Sequence, residues 1–124
     1  MRDMDGSRFG RAAVTFWMTG LPGSGKSTLA TALKERVSSQ GRAVCVLDGD
    51  SVRCGLTRDL GYSAADRREN IRRVAEVARL MNDAGMLVIA ALISPTREDR
   101  SMAREIIGLE AFLEIHIATP LPVC

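Results

Sequence analysis

Eight consecutive residues, Gly20-Leu21-Pro22-Gly23-Ser24-Gly25-Lys26-Ser27, fit the pattern G-x-x-x-x-G-K-[ST]. Glycines at this spacing let backbone N–H groups curl around the β-phosphate of a nucleoside triphosphate. The lysine then reaches the β- and γ-phosphates, and the hydroxyl of Ser27 is placed for Mg²⁺. By chance such a run arises in roughly half a per cent of chains of this length. A glycine-rich turn that binds nothing is therefore the weaker reading, and the residues imply a nucleotide-binding loop. Further on, Asp48-Gly49-Asp50 offers two carboxylates, a Mg²⁺ ligand and a general base for a phosphoryl transfer. The competing reading is an Asp-Gly turn.

From Arg53 to Arg73 the chain is dense in potential anion ligands. Arg67 and Asn70, three apart, should share one helix face, separate from the apolar stripe. Arg68, Arg72 and Arg73 read equally well as a solvated surface. Tyr62, the single tyrosine, sits in a Gly-Tyr-Ser turn. It could stack on a base or close off the end of the core.

These groups need a scaffold, and the apolar pattern supplies one. Val14-Thr15-Phe16-Trp17-Met18 reads as a buried strand just ahead of the glycine loop. After it, Leu29, Leu33 and Val37 predict one apolar helix face, and Gly41 a left-handed stop. Further strands are expected at Ala43-Val44-Cys45-Val46-Leu47, at residues 86–92 and at residues 112–118. Helices are expected near residues 66–84 and 97–107, opened by the capping signals Ser63-x-x-Asp66 and Thr96-x-x-Asp99. Ile71, Val74, Ala75, Ala78 and Met81 form the stripe of the longer helix, and Gly85 ends it. Alternation of this kind predicts an α/β fold with a mainly parallel sheet covered on both faces. Ligands then bind beyond the carboxyl ends of the strands. That places the glycine loop, Asp48-Gly49-Asp50 and Ile93-Ser94-Pro95 at one site.

Composition narrows the partners. With 124 residues, 46% hydrophobic, there is material for one core. Residues 1–12 read as a loose tail and 13–124 as the domain. A net charge of +2 is too small to argue for a nucleic-acid or membrane surface. Only two of the 17 basic residues are lysines, Lys26 and Lys34. Arginine is the better fork for phosphate or sulfate, although a G+C-rich genome leaves the same bias. Cys45, Cys54 and Cys124 form no zinc or disulfide pattern, which points to a reducing, cytoplasmic setting with Cys45 a buried thiol.

Taken together the motifs resemble the adenylyl-sulfate kinase (APS kinase) family of P-loop kinases. The resemblance rests on residues 16–30, on Leu47-Asp48-Gly49-Asp50-Ser51-Val52-Arg53 and on Leu60-Gly61-Tyr62-Ser63. It continues through Asp66-Arg67-Arg68-Glu69-Asn70-Ile71-Arg72-Arg73, Ile93-Ser94-Pro95 and Thr119-Pro120-Leu121. It implies a P-loop three-layer sandwich and transfer of a phosphoryl group from ATP, with Mg²⁺, to the 3′-hydroxyl of adenylyl sulfate. By the same resemblance, Gly20 to Thr28 bind ATP (Gly20, Leu21, Pro22, Gly23, Ser24, Gly25, Lys26, Ser27 and Thr28), and Ser27 and Asp48 serve the metal. Arg53, Tyr62, Arg67, Asn70, Ile93 and Ser94 hold adenylyl sulfate, with Tyr62 against its adenine. Asp50 orients or deprotonates the hydroxyl, beside Asp48 and Lys26. Ser94 matches a serine described in the family as a phosphoserine intermediate, yet direct in-line transfer needs no second nucleophile. The resemblance leaves a homodimer, or fusion or association with ATP sulfurylase, open.

Two departures stand out. Thr96 occupies a position where the family usually has an aromatic residue. After Cys124 there is no counterpart of the family's lysine-rich lid, further helix and final strand, so the expectation is a fragment or truncated copy with weakened catalysis. Two other classes stay open: a P-loop kinase for a different small hydroxyl substrate, and a non-catalytic nucleotide-binding remnant.

Overall fold

Four short strands running in the same direction form the centre of the molecule, in the order β2-β3-β1-β4. The structure, a computed structural model, describes residues 13–20, 25–92 and 96–117, the side chain of Ser27 excepted. Along the chain come β1 (Thr15–Thr19), α1 (Lys26–Ser39), β2 (Val44–Asp48), α2 (Gly49–Cys54), α3 (Ala64–Asp83), β3 (Leu87–Ala91), α4 (Arg97–Ile107), a 3₁₀ turn (Leu109–Ala111) and β4 (Phe112–His116). The sequence anticipates every strand to within a residue or two. It does not signal α2, because six residues are too few to develop a helical period.

The strand order decides which face each helix covers. From β1 the chain steps past β3 to β2, then returns through β3 and across β1 to β4. Right-handed crossovers in opposite directions place their helices on opposite faces. Accordingly α1 packs on one face, where Ala30 joins Met18, Ile89 and Ala91, with Phe16, Leu33, Val44, Val46 and Ile115 against them. On the other face α3 and α4 bury Ile71, Val74, Ala75, Ala78, Ala103 and Ile107 against Trp17, Val88, Ala90 and Phe112. The Trp17 and Phe112 rings pack at 5.8 Å between centroids, tilted by 37°. Central β3 is buried along its whole length, as a strand covered on both faces should be.

One expectation about the helix faces is corrected. Leu29 is 41% exposed, and Ala30, Leu33 and Val37 are the residues of α1 turned to the sheet. Spacings of three and four residues define the stripe, and the small Ala30 lets helix and sheet approach closely. Leu29 instead lines a shallow surface groove with Ala32, Glu35 and Arg36. Cys45 is only half-buried, since β2 is an edge strand. The capping signals hold: the Ser63 hydroxyl accepts from the Asp66 N–H at 3.1 Å and Thr96 from Asp99 N–H at 3.0 Å. Gly41 has the expected left-handed backbone, at φ 80°.

Ile71 lies at the centre of the larger core and is 1% exposed. Ile71→Ala should cost about 2–5 kcal/mol through lost transfer energy and the cavity left behind. Urea unfolding measures it, and a loss below about 1 kcal/mol would mean that the two helices close over the gap.

Candidate functional site

Parallel pairing brings the strand exits to one edge of the sheet. Met18 and Asp48 both pair with Ala91, and Thr19 pairs with His116. Gly20, Gly49 and Leu92 therefore leave the sheet side by side, which is the edge where ligands bind in such folds. The exit of β1 is held from the side by β4. Ile117 N–H donates to the Thr19 carbonyl at 2.9 Å, and the buried Thr19 hydroxyl lies 3.0 Å from His116 Nδ1. His116 carries this function without a motif; its only signal in the sequence is its place at the end of an alternating run.

Where the chain turns into α1, Gly20 has φ 144° and Gly25, the residue capping the helix, has φ 102°. Side chains rarely tolerate this backbone, so glycine is required at both positions. Among the described residues no side chain caps α1, and N–H groups at such a helix start can act as anion donors. Lys26 donates from Nζ to the Gly20 carbonyl at 2.6 Å, folding the side chain back over the loop. Partial burial lowers the pKa of that ammonium, because desolvation penalises the charged form. Thr28 is exposed on the first turn of the helix. Leu21, Pro22, Gly23, Ser24 and the side chain of Ser27 lie outside the described residues, as do Ile93, Ser94, Pro95 and the segment from 118 to 124.

Asp48 ends β2 and caps α2. Its Oδ1 accepts from Ser51 N–H at 2.8 Å, and its Oδ2 accepts from the Ser51 hydroxyl at 3.2 Å. With one hydrogen bond on each oxygen among the described residues, lone pairs remain for a cation, so the carboxylate fits a Mg²⁺ ligand while keeping its capping role. Asp50 is exposed in the first turn of α2.

On the last turn of the same helix, the Arg53 guanidinium stacks 4.3 Å from the centroid of the Tyr62 ring and donates to the Gly61 carbonyl at 3.1 Å. Tyr62 remains 68% exposed, which excludes the reading as a plug for the core and leaves ring surface for a planar ligand. Asp66, in the first turn of α3, accepts from Gly61 N–H at 2.8 Å. A Cβ on Gly61 would come 3.1 Å from that carboxylate, so the glycine permits the close approach.

Arg67 is exposed, whereas Asn70 is only 6% exposed. Asn70 thus lies at the margin of the buried stripe and not on a separate solvent face. Its Oδ1 has no hydrogen-bond partner among the described residues, a condition that usually costs about 1–3 kcal/mol unless a donor arrives from elsewhere. The remaining arginines of α3 are not an idle surface. Arg68 donates to the buried Asp99 of α4 at 3.2 Å, while Arg72 and Arg73 both donate to Glu69.

The sequence profile of the family described as Adenylylsulphate kinase matches residues 12–124, nearly the whole chain. The chain belongs to the adenylylsulphate kinase family. Solved structures agree. The APS kinase CysC of Mycobacterium tuberculosis, determined in complex with AMPPNP and APS, superposes with a TM-score of 0.83 at 45% identity, covering 91% of this chain and 66% of that one. The protein APE1195 matches with a TM-score of 0.83 at 38% identity, over 86% of this chain and 61% of its own. A hexameric APS kinase from Thiobacillus denitrificans matches with a TM-score of 0.75 at 42% identity, over 87% and 23%. This adenylylsulphate kinase family member therefore spans about three-fifths to two-thirds of the first two of these relatives. Its all-parallel sheet matches the fold of P-loop kinases, and the departure at Thr96 acquires a local role as the cap of α4.

The Glu69 network has a consequence for pH. Hydrogen bonds from Arg72 and then Arg73 hold the Glu69 carboxyl down at about 2, from 4.5. A folded-state value below the unfolded one contributes stability that is fully present above pH 4.5 and is lost as the pH falls through about 2. Because Glu69 lies at the surface, the contribution is small. Thermal melts across this window should show a shallower acid decline in Glu69→Gln than in the parent chain; identical slopes would mean that other carboxylates govern it.

Proposed function

We propose that this chain carries the nucleotide and acceptor sites of an ATP-dependent kinase that phosphorylates the 3′-hydroxyl of adenylyl sulfate, giving 3′-phosphoadenylyl sulfate in sulfate activation. The observation that carries the reading is the Arg53–Tyr62 stack at the site edge of the sheet, with its guanidinium 4.3 Å from an exposed ring. A cation and an aromatic surface side by side suit an acceptor that is both anionic and base-bearing, and a sugar acid would use only the first. Membership of the adenylylsulphate kinase family supports the same acceptor, as does the related CysC determined with AMPPNP and APS.

In this reading Gly20 to Thr28 surround the triphosphate of ATP, with Lys26 exchanging the Gly20 carbonyl for phosphate oxygens. Bound Mg²⁺ would neutralise phosphate charge, held through Ser27 and Asp48. Asp50 accepts the hydrogen bond of the acceptor hydroxyl and orients it. Arg53 and Arg67 bind the phosphosulfate, Tyr62 stacks on the adenine, and Asn70 Oδ1 gains a donor from the ligand, aided by Ile93 and Ser94. The reading places the protein in the cytoplasm; among the described residues no helix is long and apolar enough to cross a membrane. Self-association belongs to the same proposal, on the precedent of the hexameric relative, and association with ATP sulfurylase is its alternative.

Adenylyl sulfate and gluconate titrated against the purified chain separate this acceptor from a sugar acid, and binding of gluconate alone would sink the proposal. A coupled ADP-release assay with ATP, Mg²⁺ and adenylyl sulfate then separates a working kinase from a nucleotide-binding remnant.

Two substitutions divide donor from acceptor. Lys26→Ala should lower kcat by at least about 100-fold, near 2.7 kcal/mol of transition-state stabilisation, while circular dichroism stays that of the parent. Retention of more than about a tenth of the parent kcat would remove Lys26 from the chemistry. Arg67→Ala should weaken adenylyl sulfate by about 1.5–3 kcal/mol, the worth of a charge-assisted hydrogen bond, and leave ATP unchanged. Equal losses for both ligands in calorimetry would make Arg67 structural.

A further inference from the structure

The segment between α2 and α3 presents Tyr62, yet little of it is buried. Thr57 is fully buried, but Leu56 is 41% exposed and Asp59 and Tyr62 are also exposed. Apolar packing therefore does little to fix residues 55–62, and hydrogen bonds must. At one end Thr57 N–H donates to the Val52 carbonyl at 3.0 Å. At the other, Gly61 is held between Asp66 and Arg53. Among the described residues, Arg73 is the side chain of α3 that holds the middle. Arg73 donates from Nη1 to the Leu56 carbonyl at 3.2 Å and to Asp59 Oδ1 at 2.8 Å, and from Nη2 to Asp59 Oδ2 at 3.1 Å.

We propose that Arg73 is a positioning residue for the acceptor side of the site: it clamps residues 55–62 to α3 and so sets where Tyr62 stands beside Arg53. The acceptor half of this inference rests on the function proposed above. Ordinary exposed ion pairs contribute little, because both partners must be ordered against solvent. This pair differs in three respects. The guanidinium is planar, so its two bonds to Asp59 and its bond to Leu56 are satisfied by one orientation. That orientation is already fixed, since Nε donates to Glu69 Oε2 one turn back at 2.9 Å, and Arg72 holds Glu69 in turn at 2.8 Å. Finally, the Arg73 side chain is 27% exposed against 63% for Asp59, so solvent screens the pair mainly from the Asp59 side. The Asp59 carboxyl has its pKa lowered, first by the hydrogen bond from Arg73, and so the pair persists well below neutral pH.

Hydrogen exchange and calorimetry on the purified chain test the clamp. In Arg73→Ala, amides of residues 56–62 should exchange about tenfold faster while those of residues 70–78 keep their protection, as expected for a local opening. Affinity for adenylyl sulfate should fall about five- to tenfold with ATP affinity within about twofold, an acceptor-only loss. Asp59→Asn, a change at an exposed position, should reproduce both effects even if Arg73→Ala folds poorly. Arg73→Lys should fall between, because it keeps the charge without the fork. The two losses should be non-additive when Arg73→Ala and Asp59→Asn are combined. Unchanged exchange across residues 56–62, or equal weakening of both ligands with a lowered melting temperature, would overturn the clamp. If the parent chain binds no adenylyl sulfate, the function proposed above fails on its own, and the exchange comparison still decides whether Arg73 holds the segment.

Discussion

The pairing of β1 between β3 and β4 is the constraint from which the rest of the molecule follows. Its parallel register aligns Met18, Asp48 and Ala91 at one level, and Gly20, Gly49 and Leu92 leave the sheet within a residue or two of that line. The register is expensive to change. A slip of one residue would turn Trp17 out of the larger core and Met18 out of the smaller one, because successive side chains of a strand face opposite sides. The position at which the glycine loop begins is thus set by the burial of Trp17 and Met18, both fully enclosed in the cores.

The strands and long helices were legible because burial on two faces leaves continuous apolar runs, and helices packed on a sheet leave a stripe. Ser63 and Thr96 were legible because a hydroxyl three residues ahead of an acid is a local device that tertiary context seldom overrides. What escaped the sequence is long-range. Nothing in the types or spacing of Thr19 and His116 says that they meet across 97 positions, or that Arg73 reaches Asp59 and Leu56. The misreading of Leu29 has a related cause. A period of four aligned it with Leu33 and Val37, but a helix turns every 3.6 residues and drifts off such a line, so Ala30 takes the inward place.

Carboxylates and arginines in this molecule serve the scaffold and the site together. Asp48 caps α2 while retaining lone pairs, Arg53 braces Gly61 while covering one side of Tyr62, and Asp66 fixes the backbone that Tyr62 follows. Such double use has a physical motive. A small domain has few buried positions, and polar side chains at the sheet edge must find partners whether or not a ligand is present. The orphaned Asn70 Oδ1 is the exception among the described residues.

The partial burial of Lys26, folded back onto the Gly20 carbonyl, would tie proton uptake to the arrival of an anion in the loop. In the free loop, desolvation makes the ammonium easier to deprotonate than an ordinary lysine. A polyphosphate arriving beside it would reverse that balance, since the anion favours the charged form. Between the free and the occupied pKa values, occupancy and proton uptake are then one event, with affinity fading as the solution becomes alkaline. In that range the apparent heat of nucleotide binding would follow the ionisation enthalpy of whatever buffer surrendered the proton.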